Sequence, residues 1–366
     1  MSKYGRNSID LDAIKILQES TSAYRVKHDG SIAVELSHIH DEIMYYSPLL
    51  RFISKMEKLV SAPELFCKSP VETSVSFTKE GKEFYNSILL ATLVHKHQNY
   101  YSLHPKLACL CNFVVKHRLF DKIKYSVINS GARVTLALQY RELIAELKSY
   151  SLLSKSHAFL KGPKKNAASL RYYVNALFGR YSRLLVMRVD LSYKREFRDS
   201  LSIDEILKHK DALLKNRRKG ALAASWVGYA CRLEYAPETG FHFHLVVFKN
   251  GADFRSDVFH SALILEEWQR IPGDRGRGFN CNMKANEYRF YGIGVVNHDD
   301  KEKRQYLHKA LAYLTKSDCI AKLKLEKRRT FFKGNLPKKV TARGRPRVKT
   351  STPSQMRFKQ LRLVGV

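Results

Sequence analysis

The chain has 366 residues, 44% of them hydrophobic, enough for two or three domains with their own cores. Its 65 Lys+Arg against 34 Asp+Glu leave a net charge of +31, which favours polyanionic partners, nucleic acid first, because neutralised phosphates release condensed counterions. No apolar run approaches the length of a membrane span, no secretory signal is visible, and the six cysteines lie scattered without a CxxC. These features argue against a membrane partner, a disulfide framework and a cysteine zinc site.

Residues 1–160 read as a mainly helical domain, from "LDAIKILQES", "ELSHIHDEIMYYSPLLRFISKMEKLV" and "RVTLALQYRELIAELKSYSLL", whose apolar spacing is near 3.6. No catalytic motif marks this region. The basic, Gly/Pro-containing patch "LKGPKKNAAS" (160–169) reads as a linker or domain edge. The texture then changes. A helix over 169–182 precedes the β-prone "RLLVMRVDLSY" (183–193). A helix capped at Ser202 runs over 202–220. Two strands, 225–235 and 241–248, flank "APETG". A helix over 256–271, a strand over 288–297 and a helix over 300–318 complete the series. This order predicts an α+β fold: an antiparallel-type sheet with helices on one face and the other face free for a ligand. Residues 161–335 form the expected domain, and 336–366 a basic tail. Residues 321–366 carry fifteen Lys+Arg against Glu326 alone, a composition that predicts disorder until bound.

HxH occurs three times, at His38/His40, His95/His97 and His242/His244. The first two lie in helical patterns, where i and i+2 point about 200° apart. The third lies on a strand, where i and i+2 share a face, so only His242 and His244 can point at one metal ion. The third ligand depends on the hairpin register. A loop of three or five residues centred on Glu238 sets Glu234 opposite His242; a two-residue turn at Glu238–Thr239 sets it opposite Phe243. The Pro and Gly of "APETG" favour the longer loop. Asp190, on the strand 183–193, is the alternative ligand.

The helix over 300–318 contains "YLHKALAYLTK". Tyr306, Lys309, Tyr313 and Lys316 fall on one stripe, with the tyrosines about 10 Å apart along the axis. A phenol is a weak nucleophile near neutral pH. A neighbouring ammonium stabilises its phenolate or the charge developing on a phosphate.

The strand "RLLVMRVDLSY", the hairpin strand "FHFHLVVF" and the helix "YLHKALAYLTK" resemble, in that order, the three motifs of HUH-type rolling-circle replication initiators. More narrowly, "LFGRYSRLLVMRVDLSY", "EYAPETGFHFHLVVFKNG" and "AYLTKSD" look like the inovirus replication-protein-like family, which includes the YagK/YfjJ C-terminal domain proteins of prophages. The resemblance implies an HUH/RRM-like palm and a divalent cation, Mg²⁺ or Mn²⁺, on His242 and His244. It implies metal-dependent nicking and joining of single-stranded DNA at a replication origin, through a 5′-phosphotyrosine on Tyr313, with Tyr306 as a candidate second tyrosine. It also implies a cytoplasmic, DNA-associated protein of a bacterial host, with a host helicase or polymerase as a candidate further partner. In the tail, Arg343, Arg345 and Arg347 of "ARGRPRVK" resemble an AT-hook core suited to the minor groove. The alternatives are a non-catalytic DNA-binding regulator and a transposase or relaxase of the same superfamily.

Overall fold

A computed structural model describes residues 22–26, 32–36, 38–68, 75–126, 129–217, 222, 226–236, 239–287, 291–326 and 328–337, with side chains from Tyr45 onward except at 285–287. The N-terminal region pairs β1 (Ser22–Val26) with β2 (Ile32–Leu36). It continues through α1 (His38–Lys58), the short ladder of β3 (Phe66–Lys68) with β4 (Val75–Phe77), and α2 (Lys79–His95). β5 (Tyr101–Leu103), α3 (Pro105–Lys116), α4 (Leu119–Tyr125) and α5 (Ser130–Leu147) follow. The region is mainly helical, as its periodicity predicts. The expected helix at 11–20 lies outside the described residues.

Next comes α6 (Tyr150–Arg180), 31 residues long and capped by Ser149, whose hydroxyl accepts from the Leu152 N–H. It runs straight through 160–169, so the expected linker is wrong. Pro163 should break a helix, because it removes one N–H and leaves the carbonyl four residues back unpaired. That carbonyl belongs to Phe159, and the ammonium of Lys322 donates to it. A distant lysine satisfies the orphan, and Pro163 stays buried within the helix.

The remaining elements are β6 (Arg183–Tyr193), α7 (Ile203–Asn216), β7 (Trp226–Ala236), β8 (Gly240–Asn250), α8 (Asp257–Arg270), β9 (Gly276–Asn280), β10 (Gly294–Asn297), α9 (Lys301–Lys316), β11 (Ala321–Leu323) and β12 (Phe331–Lys333). α7 begins with a full capping box between Ser202 and Glu205. Asp300 accepts from the Lys303 N–H at the start of α9. The main sheet runs β10-β6-β8-β7-β12, with β9 also on β6, and every pairing is antiparallel.

The α+β class holds, but the sheet is covered on both faces. Met187, Leu191, Leu233, Phe243, Leu245 and Val247 pack on Ile206 and Leu213 of α7 and on Ile264 and Trp268 of α8. Val186, Ala230, Val246 and Phe248 pack on Tyr173, Val174 and Leu177 of α6 and on Leu307 and Leu311 of α9. The strands explain this: β8 is buried residue after residue from His242 to Lys249, the pattern of a strand covered on both faces. The second core is continuous with that of α1–α5.

Three further expectations change. The strand over 288–297 begins only at Gly294, whose φ of +78° suits glycine; Tyr288–Phe290 lie outside the described residues. β11 and β12 lie in a stretch expected to be disordered. β11 pairs with β5, and β12 adds an edge to β7. Backbone pairing is joined there by packing of Leu323, Phe331 and Phe332 against the cores.

Candidate metal centre and nucleophile

β8 is a central strand: His244 faces Asp190 of β6 and Arg232 of β7, and His242 faces Glu234 of β7. The hairpin pairs Glu234 with His242 and Ala236 with Gly240. Three residues of sequence, 237–239, separate this last pair. Gly240 enters the strand at φ +65°, a conformation that suits glycine. The three-residue loop sets Glu234 beside the histidines. Ligand atoms of Glu234, His242 and His244 lie within 4.8 Å of one another, and all three residues are buried.

Each imidazole is oriented through Nδ1. His242 Nδ1 lies 3.1 Å from the Gly240 carbonyl, and His244 Nδ1 lies 2.6 Å from Asp190 Oδ1. Both Nε2 atoms are thereby left as ligand atoms, the arrangement in which outer carboxylates and carbonyls fix metal-bound histidines. Asp190 is therefore placed behind His244, not as the third ligand. It faces His244 in the β6–β8 ladder.

α9 crosses this face and delivers Tyr313, 1% exposed. Its hydroxyl donates to Glu234 Oε2 at 3.0 Å and lies 3.5 Å from His244 Nε2. The other oxygen, Glu234 Oε1, accepts from the Ser317 hydroxyl at 3.0 Å. The guanidinium of Arg188 stands 5.3 Å from the centre of the Tyr313 ring.

Beneath Glu234 lies a second ionic layer. Arg232, 2% exposed, donates from both terminal nitrogens to Asp318 and from Nη1 to Thr330 Oγ1 at 3.0 Å. Its Nε lies 3.7 Å from Glu234 Oε1.

Burial opposes ionisation of Glu234, but His244 and Arg232 outweigh it and bring the carboxyl down to about 2. Asp190 is likewise held below the usual carboxylate range, by His244 and Arg188 against burial. His244 is carried up to about 9, since Asp190 and Glu234 overcome desolvation. His242 moves the other way, lowered by burial and by the His244 charge. The phenol of Tyr313 is pushed well above its ordinary value by burial and then by Glu234.

Tyr306 is two turns back along α9, and its hydroxyl donates to Glu302 of the same helix. Lys309 and Lys316 are half-buried on α9, Lys316 at its last position. Arg343, Arg345 and Arg347 fall outside the described residues. Sequence reasoning missed Arg188, Arg232, Ser317 and Asp318. A signal existed: "RVD", "RLE" and "HFH" each set two polar side chains at i and i+2 on an otherwise apolar strand.

The YagK/YfjJ C-terminal domain family model matches residues 149–334. The chain belongs to that family. The match opens on Ser149, the cap of α6, and closes just after β12. No curated protein and no solved structure matches the chain.

Proposed function

We propose that the chain is an HUH-type tyrosine endonuclease that nicks and joins single-stranded DNA at the replication origin of a phage or prophage element. One observation carries the reading: the Tyr313 hydroxyl lies 3.0 Å from Glu234 and 3.5 Å from His244 Nε2, within the cluster suited to a metal. A divalent cation on Glu234, His242 and His244, Mn²⁺ before Mg²⁺ given two imidazole donors, supplies Lewis-acid polarisation of the scissile phosphate.

Tyr313 Oη forms a bond to phosphorus as the bond from phosphorus to the 3′-oxygen breaks. The phenolic proton passes by way of its hydrogen bond to Glu234 to water, and the departing 3′-oxygen takes up a proton from water. The 5′-phosphate stays on Tyr313 as a diester, and reversal of the step joins ends without ATP. Ser317 and Arg232 hold the other edge of Glu234, so its Oε2 faces Tyr313. Asp190 keeps His244 Nε2 directed inward.

The test is incubation of the full chain with a single-stranded pool and Mn²⁺, followed by denaturing electrophoresis and mapping of the modified residue. A covalent adduct on Tyr313 is expected. Full activity of the Tyr313→Phe/Tyr306→Phe double variant would sink the reading.

A second reading, a DNA-binding regulator that does not cut, draws on the burial of the site. Glu234, His242, His244 and Tyr313 are each no more than 7% exposed, and Tyr313 bonds the carboxylate that a cation needs. It predicts DNA binding indifferent to EDTA and no adduct.

A further inference from the structure

The metal cluster leaves unused the basic patch at 160–169. It sits on α6, a helix of 31 residues without one Asp or Glu. Lys161, Lys164, Lys165 and Arg171 are exposed, and Tyr172 is 66% exposed. At 100° per residue these five fall within an arc of about 120°. The opposite side of α6 carries the buried Leu160, Pro163, Leu170, Tyr173, Val174 and Leu177.

Lys161 is three residues from Lys164 and four from Lys165, spacings at which like charges oppose the helix. A solvated helix face normally relieves this with acids at i+3 or i+4, and α6 has none. An external anion does the same.

The arc also has a direction. α6 runs antiparallel to α9: Leu160 packs with Cys319, Arg171 acts on His308, and Arg304 donates to Asn175 at 3.0 Å. By this register Asn166 stands level with Tyr313, and Lys164 and Lys165 lie within one helical turn of that level. Four cations spread over about 15 Å of helix axis match a run of backbone phosphates. An exposed tyrosine among them adds a π-face, which duplex DNA, with its bases stacked inside, has no use for.

We propose that this exposed arc of α6 is a track for single-stranded nucleic acid, with Lys161, Lys164, Lys165 and Arg171 on phosphates and Tyr172 under a base. It rests on the nucleic-acid half of the proposed function and not on cleavage.

The test is fluorescence anisotropy of labelled oligo-dT with the full chain in EDTA, across a salt series. Lys161→Glu with Lys165→Glu should weaken binding at least tenfold and flatten the log–log salt slope by about 1.4 units, near 0.7 per phosphate contact. Tyr172→Ala should weaken it about tenfold and Tyr172→Phe hardly at all. The proposal is overturned if the double variant keeps the wild-type affinity and slope, or if Tyr172→Ala is silent while duplex DNA binds as tightly as oligo-dT. Intact oligo-dT binding with no adduct under Mn²⁺ would leave the track standing and remove the nicking reading alone.

Discussion

The Tyr313 hydroxyl and the Glu234 carboxylate meet at 3.0 Å across 79 positions of sequence, and this one bond ties α9 to β7. Tyr313→Phe removes it, while Glu234 keeps Ser317 and its neighbour Arg232. The stability cost should therefore be that of one hydrogen bond to a buried carboxylate, about 1.5–3 kcal/mol, whereas adduct formation should vanish. Tyr306→Phe removes a bond to Glu302 on the surface of the same helix and should leave the adduct intact. Denaturant unfolding and electrophoresis of the two variants check both halves.

Asp190 bonds the outer nitrogen of His244, so its replacement tests the metal centre without touching a ligand. Asp190→Asn keeps a group beside Nδ1 but removes the charge that fixes the ring. Mn²⁺ affinity should fall roughly 10- to 100-fold, the usual loss for an outer partner of a metal-binding histidine. His244→Ala should abolish binding. Titration calorimetry with Mn²⁺ alone reads both. Chelation should lower the melting temperature of the wild type, since a ligand of the folded state stabilises by mass action.

The sequence carried the hairpin because its loop fixes its register: with three residues at 237–239, Glu234 must face His242. It could not carry the place of Asp190, which depends on β6 lying beside β8 although α7 and β7 intervene in the chain. The same holds for Arg232 and Asp318, which meet only once α9 has crossed the sheet. Pro163 misled for a related reason. Locally it reads as a break, and the amine that repairs the break sits at Lys322. The strands of the basic segment after Ile320 were equally hidden, since the edges of β5 and β7 they pair with, and the cores on which Leu323, Phe331 and Phe332 rest, are far away in the sequence.

The pair of Arg232 and Asp318 is nearly excluded from solvent, at 2% and 8% exposure. Removing one partner strands the other charge. Arg232→Met or Asp318→Leu should each cost about 3–5 kcal/mol. The double replacement Arg232→Met/Asp318→Leu should cost less than the sum of the singles, because no buried charge of this pair remains unpaired. Chemical denaturation of the three variants gives the coupling directly. Additive losses would mean that the pair contributes through packing and not through charge.

His308 of α9 gives the fold a dependence on acid. Burial lowers its basicity first, then Arg171 and Arg304, and the ring is brought to about 4. In the unfolded chain it takes a proton near the ordinary value of about 6.5. Between these values the unfolded state binds a proton that the folded state refuses. The stability due to neutral His308 is therefore present above about pH 6.5 and drains away as pH falls toward 4. His308→Gln should flatten the pH profile of the unfolding free energy in that window and leave it unchanged at pH 8. A variant whose acid loss equals that of the wild type would assign the loss to other groups.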